Sequence, residues 1–562
     1  MKKLNLLIAT VISFLFYSLQ AQENPTIPAY SSTHALEGNV PSVIMPNHDF
    51  TQDIIDADAF EKQGNYPRFA RAFDVNLTML NSGIWTELNN GDRVWRLALK
   101  SEGALATSLF FEDFWLPEGA TLHVYSPDKK EMQGSFTYLD NQGNDLFSTE
   151  FLKGEESIIE YYEALPARGQ GRFKITSLAH QYRELQMAED CQVNIICSPE
   201  GDNWQDEKRG VVRIQVKQGV NIGYCTGSLI NNTALDCKRY ILTAFHCGES
   251  SSTSDYNGWK FYFNFEATQC TGQSDNFGTV NNVFTGCTKR ADSNDGGGDT
   301  GSDFLLIQIN STSSPSWWGN GSNIYWNGWS KATTAPTAGA ICVHHPAGSN
   351  KKISKTTATA TSSSWGGSTS GTHWRVKWAG TTNGWGVTEG GSSGSPLFNS
   401  SSLIVGTLTG GSSYCNSVQP NGQNQADSYG KMSYHWASNG TSSNRQLKTW
   451  LDPTNSDVAT LSGTYNPCNS LSINENNTDV QQVSIFPNPN NGQFSVNIKL
   501  EKPSDIEISI YNFIGQQIET KKIEHTIGGA FETDLSSQNA GVYFIHVKTP
   551  VSHEVKKVIV NK

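Results

Sequence analysis

Short runs in which apolar and polar residues alternate recur along most of the chain, separated by Pro, Gly and Asp turns. From Arg68 onward the runs are Val94–Leu99, Ser108–Phe111, Thr121–Tyr125, Ser157–Tyr162 and Arg172–Thr176. This period-two pattern predicts an antiparallel β-sandwich. The middle adds strands at Gly210–Val216 and Ser402–Leu408, with one helix expected near Asn444–Leu451. A polar tract, Asn469 to Gln482, precedes a last set of alternating runs at Phe494–Ile498, Ile506–Tyr511 and Gly541–Val547. That set reads as a small β-sandwich. The chain is therefore mainly β. One stretch breaks the pattern: Leu4 to Leu19 is uncharged and mostly apolar, follows Lys2 and Lys3, and is followed by Gln20-Ala21-Gln22. It predicts a signal peptide over 1–21, cleaved after Ala21.

Composition narrows the class. A chain of 562 residues should hold three or four domains. Its net charge of −12 excludes nucleic acid as an expected partner and suits a dispersed extracellular protein. Mean hydropathy is −0.44, and beyond Leu4–Leu19 no segment is expected to span a membrane in the mature form. The ten cysteines all lie between Cys191 and Cys468, so an exported chain would carry its disulfides there. No Cys-x-x-Cys pair with matching histidines appears, and neither metal nor cofactor is expected. The adjacent His344 and His345 cannot share a ligand face on a strand and are read as structural. Residues 22–183 lack cysteine and any catalytic constellation, and are read as a β-rich propeptide. A carbohydrate-binding module is the rival reading.

Three stretches carry candidate chemistry. Gly391-Ser392-Ser393-Gly394-Ser395-Pro396 has the form of a nucleophile loop centred on Ser393, because glycines let backbone N–H groups aim at an oxyanion. Ser395 is the weaker centre, having no glycine two residues before it. Tyr240-Ile241-Leu242-Thr243-Ala244-Phe245-His246-Cys247 runs an apolar strand into a histidine, a general base. In Gly301-Ser302-Asp303-Phe304-Leu305-Leu306-Ile307 an aspartate opens an apolar strand, where a buried charge needs a partner. The order His, Asp, Ser resembles the chymotrypsin type. Asp295-Gly-Gly-Gly-Asp299 lacks the closing glutamate of a calcium loop and is read as a flexible turn.

Over residues 189–452 the chain resembles lysyl endopeptidase, a family of secreted trypsin-fold proteases. The resemblance rests on Asp190-Cys191-Gln192-Val193-Asn194-Ile195-Ile196-Cys197, Cys225-Thr226-Gly227-Ser228-Leu229, Val343-His344-His345-Pro346 and Trp450-Leu451-Asp452-Pro453, besides the three stretches above. It implies a chymotrypsin-like pair of six-stranded barrels, with His246, Asp303 and Ser393 as the triad and the N–H groups of Gly391 and Ser393 as oxyanion donors. It also implies disulfides Cys191–Cys415, Cys197–Cys270 and Cys225–Cys247. Cys237, Cys287, Cys342 and Cys468 are extra, and Cys287–Cys342 with Cys237–Cys468 is one of three pairings open to them.

The same resemblance puts Asp427 at the base of the pocket for the residue before the scissile bond, with Trp365 beside it. The family's histidine that stacks on that tryptophan is replaced by Thr409, so cleavage after Lys is expected with Arg left open. Ser392 stands where trypsin has the aspartate that receives the freed N-terminus, so activation would rest on propeptide removal instead, with Arg183 as a candidate site.

At the C-terminus, Phe486-Pro487-Asn488-Pro489, Asp534-Leu535-Ser536, Gly541-Val542-Tyr543 and Lys556–Lys562 resemble the sorting domain of the type IX secretion system. The expected layout is signal peptide 1–21, propeptide 22–183, protease domain 184–467, linker 468–482 and sorting domain 483–562. The expected product is a secreted or surface-tethered monomeric endopeptidase. Its partners would be peptide substrates and the secretion machinery. The alternative is an inactive homologue that binds peptides or surfaces.

Overall fold

The computed structural model describes residues 27–36, 38–184, 188–270, 282–313, 324–366, 369–415, 422–469, 480–512, 516–550 and 553–561. The expected signal peptide and most of the expected linker lie outside them.

The N-terminal region is the sandwich its alternation predicts. One sheet joins Arg93–Lys100, Glu156–Glu163 and Ala120–Tyr125; the other joins Arg68–Thr78, Arg172–Gln181 and Ala106–Trp115. Leu97, Leu99, Leu122 and Ile159 from the first meet Leu109, Phe111, Phe173 and Ile175 from the second. The second sheet does not stop at the edge of the sandwich. Arg68–Thr78 pairs antiparallel with Asn221–Ile230, placing Arg71 opposite Asn221 and Arg68 opposite Gly223. The N-terminal region thereby becomes part of the same sheet as the middle domain, which the alternation of single strands does not reveal. Lys260 is buried at this junction, donating to Ser108 Oγ (3.2 Å) and Thr149 O.

The middle holds two barrels. In the first, Val211–Gln218 and Asn221–Ile230 form a hairpin; Tyr240–Thr243, Leu305–Ile309 and Cys287–Asp292 extend it on one side, Lys260–Tyr262 and Val283–Thr285 on the other. In the second, Ile341–His344, Pro396–Phe398, Ile404–Gly411, Ala426–Lys431 and His373–Lys377 are successive neighbours.

The apolar runs at the barrel junction have a plain cause. Ile241, Leu305 and Ile307 face the first barrel's core, while Leu242, Phe304 and Leu306 face a cluster shared with Ile341, Val343, Phe398 and Met432. Strands covered on both faces read as continuous apolar runs. The expected helix near Asn444–Leu451 is confined to Lys448–Leu451 behind a short turn at Ser443–Arg445. A second helix, Met432–Ala437, packs on the barrel junction. At the C-terminus the strands Gln493–Asn512, Gln517–Asp534, Gly541–Lys548 and His553–Val560 enclose a separate core of Val496, Ile508, Ile545 and Val558.

The disulfides are Cys191–Cys415, Cys197–Cys270, Cys225–Cys247 and Cys237–Cys468. Cys287 and Cys342 do not pair, because each is buried in the core of a different barrel. Cys225–Cys247 closes a loop of 22 residues around the strand Tyr240–Thr243. Replacing both by Ser should cost about 3 kcal/mol. The check is an earlier denaturant midpoint in the fluorescence of the barrel's tryptophans; an unchanged midpoint would contradict it.

Candidate active site

The site begins with a strand register. Thr243 lies opposite Leu305, so the chain leaving one strand and the chain entering the other are neighbours. His246 follows the first and Asp303 precedes the second. The His246 N–H donates to Asp303 Oδ1 (3.0 Å), and His246 Nδ1 meets Asp303 Oδ2 (2.8 Å). With Nδ1–H donating, Nε2 is left as an acceptor; it is buried without a hydrogen-bond partner. Burial opposes charge on His246, but the negative charge and hydrogen bond of Asp303 outweigh it, and the imidazole pKa is raised. Burial also opposes charge on Asp303, and here the His246 ring outweighs it, so that the carboxyl pKa is lowered.

Asp303 adopts a left-handed backbone (φ 56°), a strained state for a non-glycine residue, worth on the order of 1–3 kcal/mol. The Asp295–Asp299 stretch, expected to be a flexible turn, is what holds it there. Asp295 is buried; its Oδ2 accepts the Asp303 N–H (2.7 Å) and its Oδ1 the Gly298 N–H (3.0 Å). The run Gly296–Gly298 has φ of 66°, 70° and 99°, which only glycines adopt without strain. A Cβ on Gly298 would also press on Trp365 (3.1 Å) and Asp303 (3.3 Å). From the second barrel, His435 Nδ1 meets Ser302 Oγ (2.8 Å), and Asn439 Nδ2 donates to the same oxygen (2.8 Å). Asp295, Ser302, His435 and Asn439 were missed as site residues. The one signal available was the acidic residue beside an unusual triple glycine.

The Ser393 loop spans the barrel junction. Ser393 O accepts from Thr226 N (2.9 Å), and Gly391 O from Thr226 Oγ1 (2.8 Å). Gly394 (φ 80°) is required where the barrels touch, since a Cβ there would collide with Thr243 and Ala244. Gly390 O accepts from Ala347 N (2.6 Å); in a trans peptide this turns the Gly391 N–H to the opposite side. Among the described residues neither the Gly391 nor the Ser393 N–H donates a hydrogen bond. Ser395 is turned away, its Oγ beside the buried Cys342 Sγ (3.3 Å). Ser392 Oγ meets His344 Nδ1 (2.8 Å), so His344 steadies the residue before Ser393. Burial pushes the His344 pKa down to about 3, keeping it neutral.

Asp427 is fully buried on the strand Ala426–Lys431. Its Oδ2 accepts from Trp378 Nε1 (2.6 Å), Thr388 Oγ1 (2.7 Å) and Ser413 Oγ (2.5 Å); its Oδ1 accepts from Ser413 N (3.1 Å). Burial raises its pKa against these bonds. Thr409 meets His373 Nε2 (3.0 Å), and the His373 ring is 6.5 Å from Trp365, tilted by 39°. An imidazole from the strand His373–Lys377 thus stands near Trp365 although position 409 is threonine. No residue pattern announced it.

Two antiparallel β-barrels packed against each other are the architecture of the chymotrypsin-like class, and the family comparison points to a serine protease. Residues 185–430 match the family model "Lysyl endopeptidase, C-terminal domain", and residues 484–561 match "Secretion system C-terminal sorting domain". A lysyl endopeptidase of Pseudomonas aeruginosa is 25% identical over 366 residues, 61% of this chain and 73% of its own. Among solved structures, a Glu endopeptidase aligns over 44% of this chain and 93% of its own at 16% identity, TM-score 0.26. Protease Anisep from Arthrobacter nicotinovorans aligns over 40% and 90% at 14% identity, TM-score 0.28. These superpositions are loose, and the fold rests on the sheets described above. The middle of the chain is a serine protease domain related to lysyl endopeptidase, and the sorting domain marks the protein for secretion or outer-surface attachment. Among the described residues no helix is long and apolar enough to cross a membrane.

The charges facing His246 are those of Asp303, Glu249 and Asp295. Asp295→Asn removes one of them, so the imidazole should hold its proton less tightly. The His246 pKa should fall, as an NMR titration of its ring protons would report. An unchanged or higher value would contradict the placement of Asp295.

Proposed function

We propose that the protein is a secreted endopeptidase that cleaves after lysine through Ser393, His246 and Asp303. The observation that carries this reading is the two-point contact between His246 and Asp303. It leaves Nε2 without a hydrogen-bond partner, as a free base requires. In the proposed cycle, Ser393 Oγ attacks the carbonyl carbon while His246 Nε2 takes its proton. The N–H groups of Gly391 and Ser393 stabilise the oxyanion. The imidazolium, stabilised by Asp303, then protonates the leaving amine, and a water repeats the sequence on the acyl-enzyme.

Asp427 supports lysine as the preferred residue. Its Oδ2 is occupied by three donors, whereas Oδ1 has one. A carboxylate whose Oδ1 has a single donor keeps room for the point charge of an ammonium, whereas the two-pronged guanidinium needs both oxygens. Residues 22–183 are proposed to be a propeptide, preceded by a signal peptide over 1–21, with the mature form acting as a monomer. The Arg183 guanidinium is tied to Asp58 (2.9 Å), Glu61 and Arg68 O (2.6 Å). Cleavage after Arg183 therefore requires its release from the helix Thr51–Lys62.

Paired fluorogenic peptides with Lys or Arg before the scissile bond test the reading. Activated protein should favour Lys, and Ser393→Ala or His246→Ala should lose on the order of 10⁴ or more in rate. Asp427→Asn should lower kcat/KM on the Lys peptide by about 100-fold. Because neutral His246 is the base and its pKa is raised, activity should fall on acidification at a pH above that of a free imidazole, about 6.5. Equal silence of wild type and Ser393→Ala would overturn the enzyme in favour of a peptide-binding homologue.

A further inference from the structure

The two groups proposed to react are hardly accessible: Ser393 is 3% exposed and His246 8%. Against the serine loop and the edges of the two barrels lies a piece of the N-terminal region, Gly64-Asn65-Tyr66-Pro67, which connects the helix Thr51–Lys62 to the strand Arg68–Thr78. Its path follows the barrel junction. At one end, Gly64 O stands 3.9 Å from where a Cβ on Gly410 would lie, next to Trp365. In the centre, Asn65 O and Pro67 Cδ each stand 3.4 Å from the Cβ position of Gly390, in the serine loop. At the other end, Pro67 O accepts from Tyr224 N (3.3 Å), and the Tyr66 ring lies on Gly223. Tyr66 is 1% exposed and belongs to the cluster that contains Cys225 and Cys247, the disulfide beside His246.

After a turn at Gly64 (φ 87°), the segment passes the pocket wall, the serine loop and the first barrel's edge in the order a substrate would. Its backbone adds to the sheet edge as in β-augmentation. It differs from a substrate in one place. The residue over the serine loop is Asn65, whose side chain turns back to donate to Phe60 O (3.1 Å). An amide there brings no cation to Asp427.

Building on the proposed active site, we propose that Gly64–Pro67 is a pseudosubstrate. It occupies the cleft in substrate direction, is anchored by Tyr66 on the leaving-group side, and escapes cleavage because Asn65 stands where a lysine is required. The arrangement also indicates that the cleft accepts an aromatic residue directly after the scissile bond. Because Arg68–Thr78 is hydrogen-bonded into the barrel sheet, a cut after Arg183 alone leaves the segment in place.

The test uses the full-length chain. Asn65→Lys should turn the inhibitor into a substrate: water adds across the 65–66 amide, and mass spectrometry finds a new N-terminus at Tyr66. Wild type and Asn65→Lys/Ser393→Ala should both remain uncut there. Independently, Tyr66→Gly should loosen the anchor and raise hydrolysis of a lysyl peptide by the uncut chain about tenfold or more, as the open fraction of clefts rises. An Asn65→Lys protein that hydrolyses the lysyl peptide yet keeps its 65–66 bond would overturn the proposal, as would a folded Tyr66→Gly protein no faster than wild type. If Ser393 of the folded full-length Tyr66→Gly protein takes no label from a serine-directed fluorophosphonate, the active-site reading fails, and the pseudosubstrate fails with it.

Discussion

The cleft depends on one antiparallel register. With Thr243 opposite Leu305, three residues beyond one strand and two before the other suffice to bring His246 onto both oxygens of Asp303. A slip by one residue would turn each side chain to the opposite face, moving Leu242 and Leu306 out of the inter-barrel cluster and Ile241 and Ile307 out of the barrel core. The hydrophobic layers that fix the register therefore also fix the chemistry. The left-handed backbone of Asp303 is tolerated because Asp295 and the three glycines behind it leave the chain no other path.

The buried histidines show how environment assigns opposite states to one side-chain type. Burial holds the His344 and His435 pKa values at about 3 and that of His373 at about 4. Each of these rings has a hydroxyl partner: Ser392, Ser302 or Thr409. Such bonds satisfy a neutral imidazole without stabilising its cation. His246 is also buried but faces a carboxylate, and its pKa moves the other way. Desolvation alone would make it another structural ring; Asp303 turns it into a base that can carry a proton. The neutral rings brace the loops on either side.

The sequence made the local chemistry legible and left the long-range joins obscure. The Ser393 loop, the strand into His246 and the aspartate opening Asp303–Ile307 could be read because each combines a reactive side chain with a pattern visible in one short stretch. The two-sheet character of residues 68–181 followed from period-two alternation. Its continuation into the barrel did not, because the pairing of Arg68 with Gly223 joins strands about 150 residues apart, and alternation says nothing about partners. In sequence Asp295 reads as part of a flexible turn, because a glycine run usually signals freedom. Here the same glycines close a tight loop around a buried carboxylate. His373 could not be foreseen, since only the fold brings its strand behind Thr409.

The most direct test is covalent. The activated protein would be treated with a serine-directed fluorophosphonate and the modified peptide mapped by mass spectrometry, beside an Asp303→Asn variant that keeps its fold. Ser393 should carry a single adduct, with labelling slowed on the order of 10⁴-fold when Asp303 is changed. Labelling of Ser395 instead, or unlabelled Ser393 in a preparation that cleaves lysyl peptides, would contradict the assignment of the site.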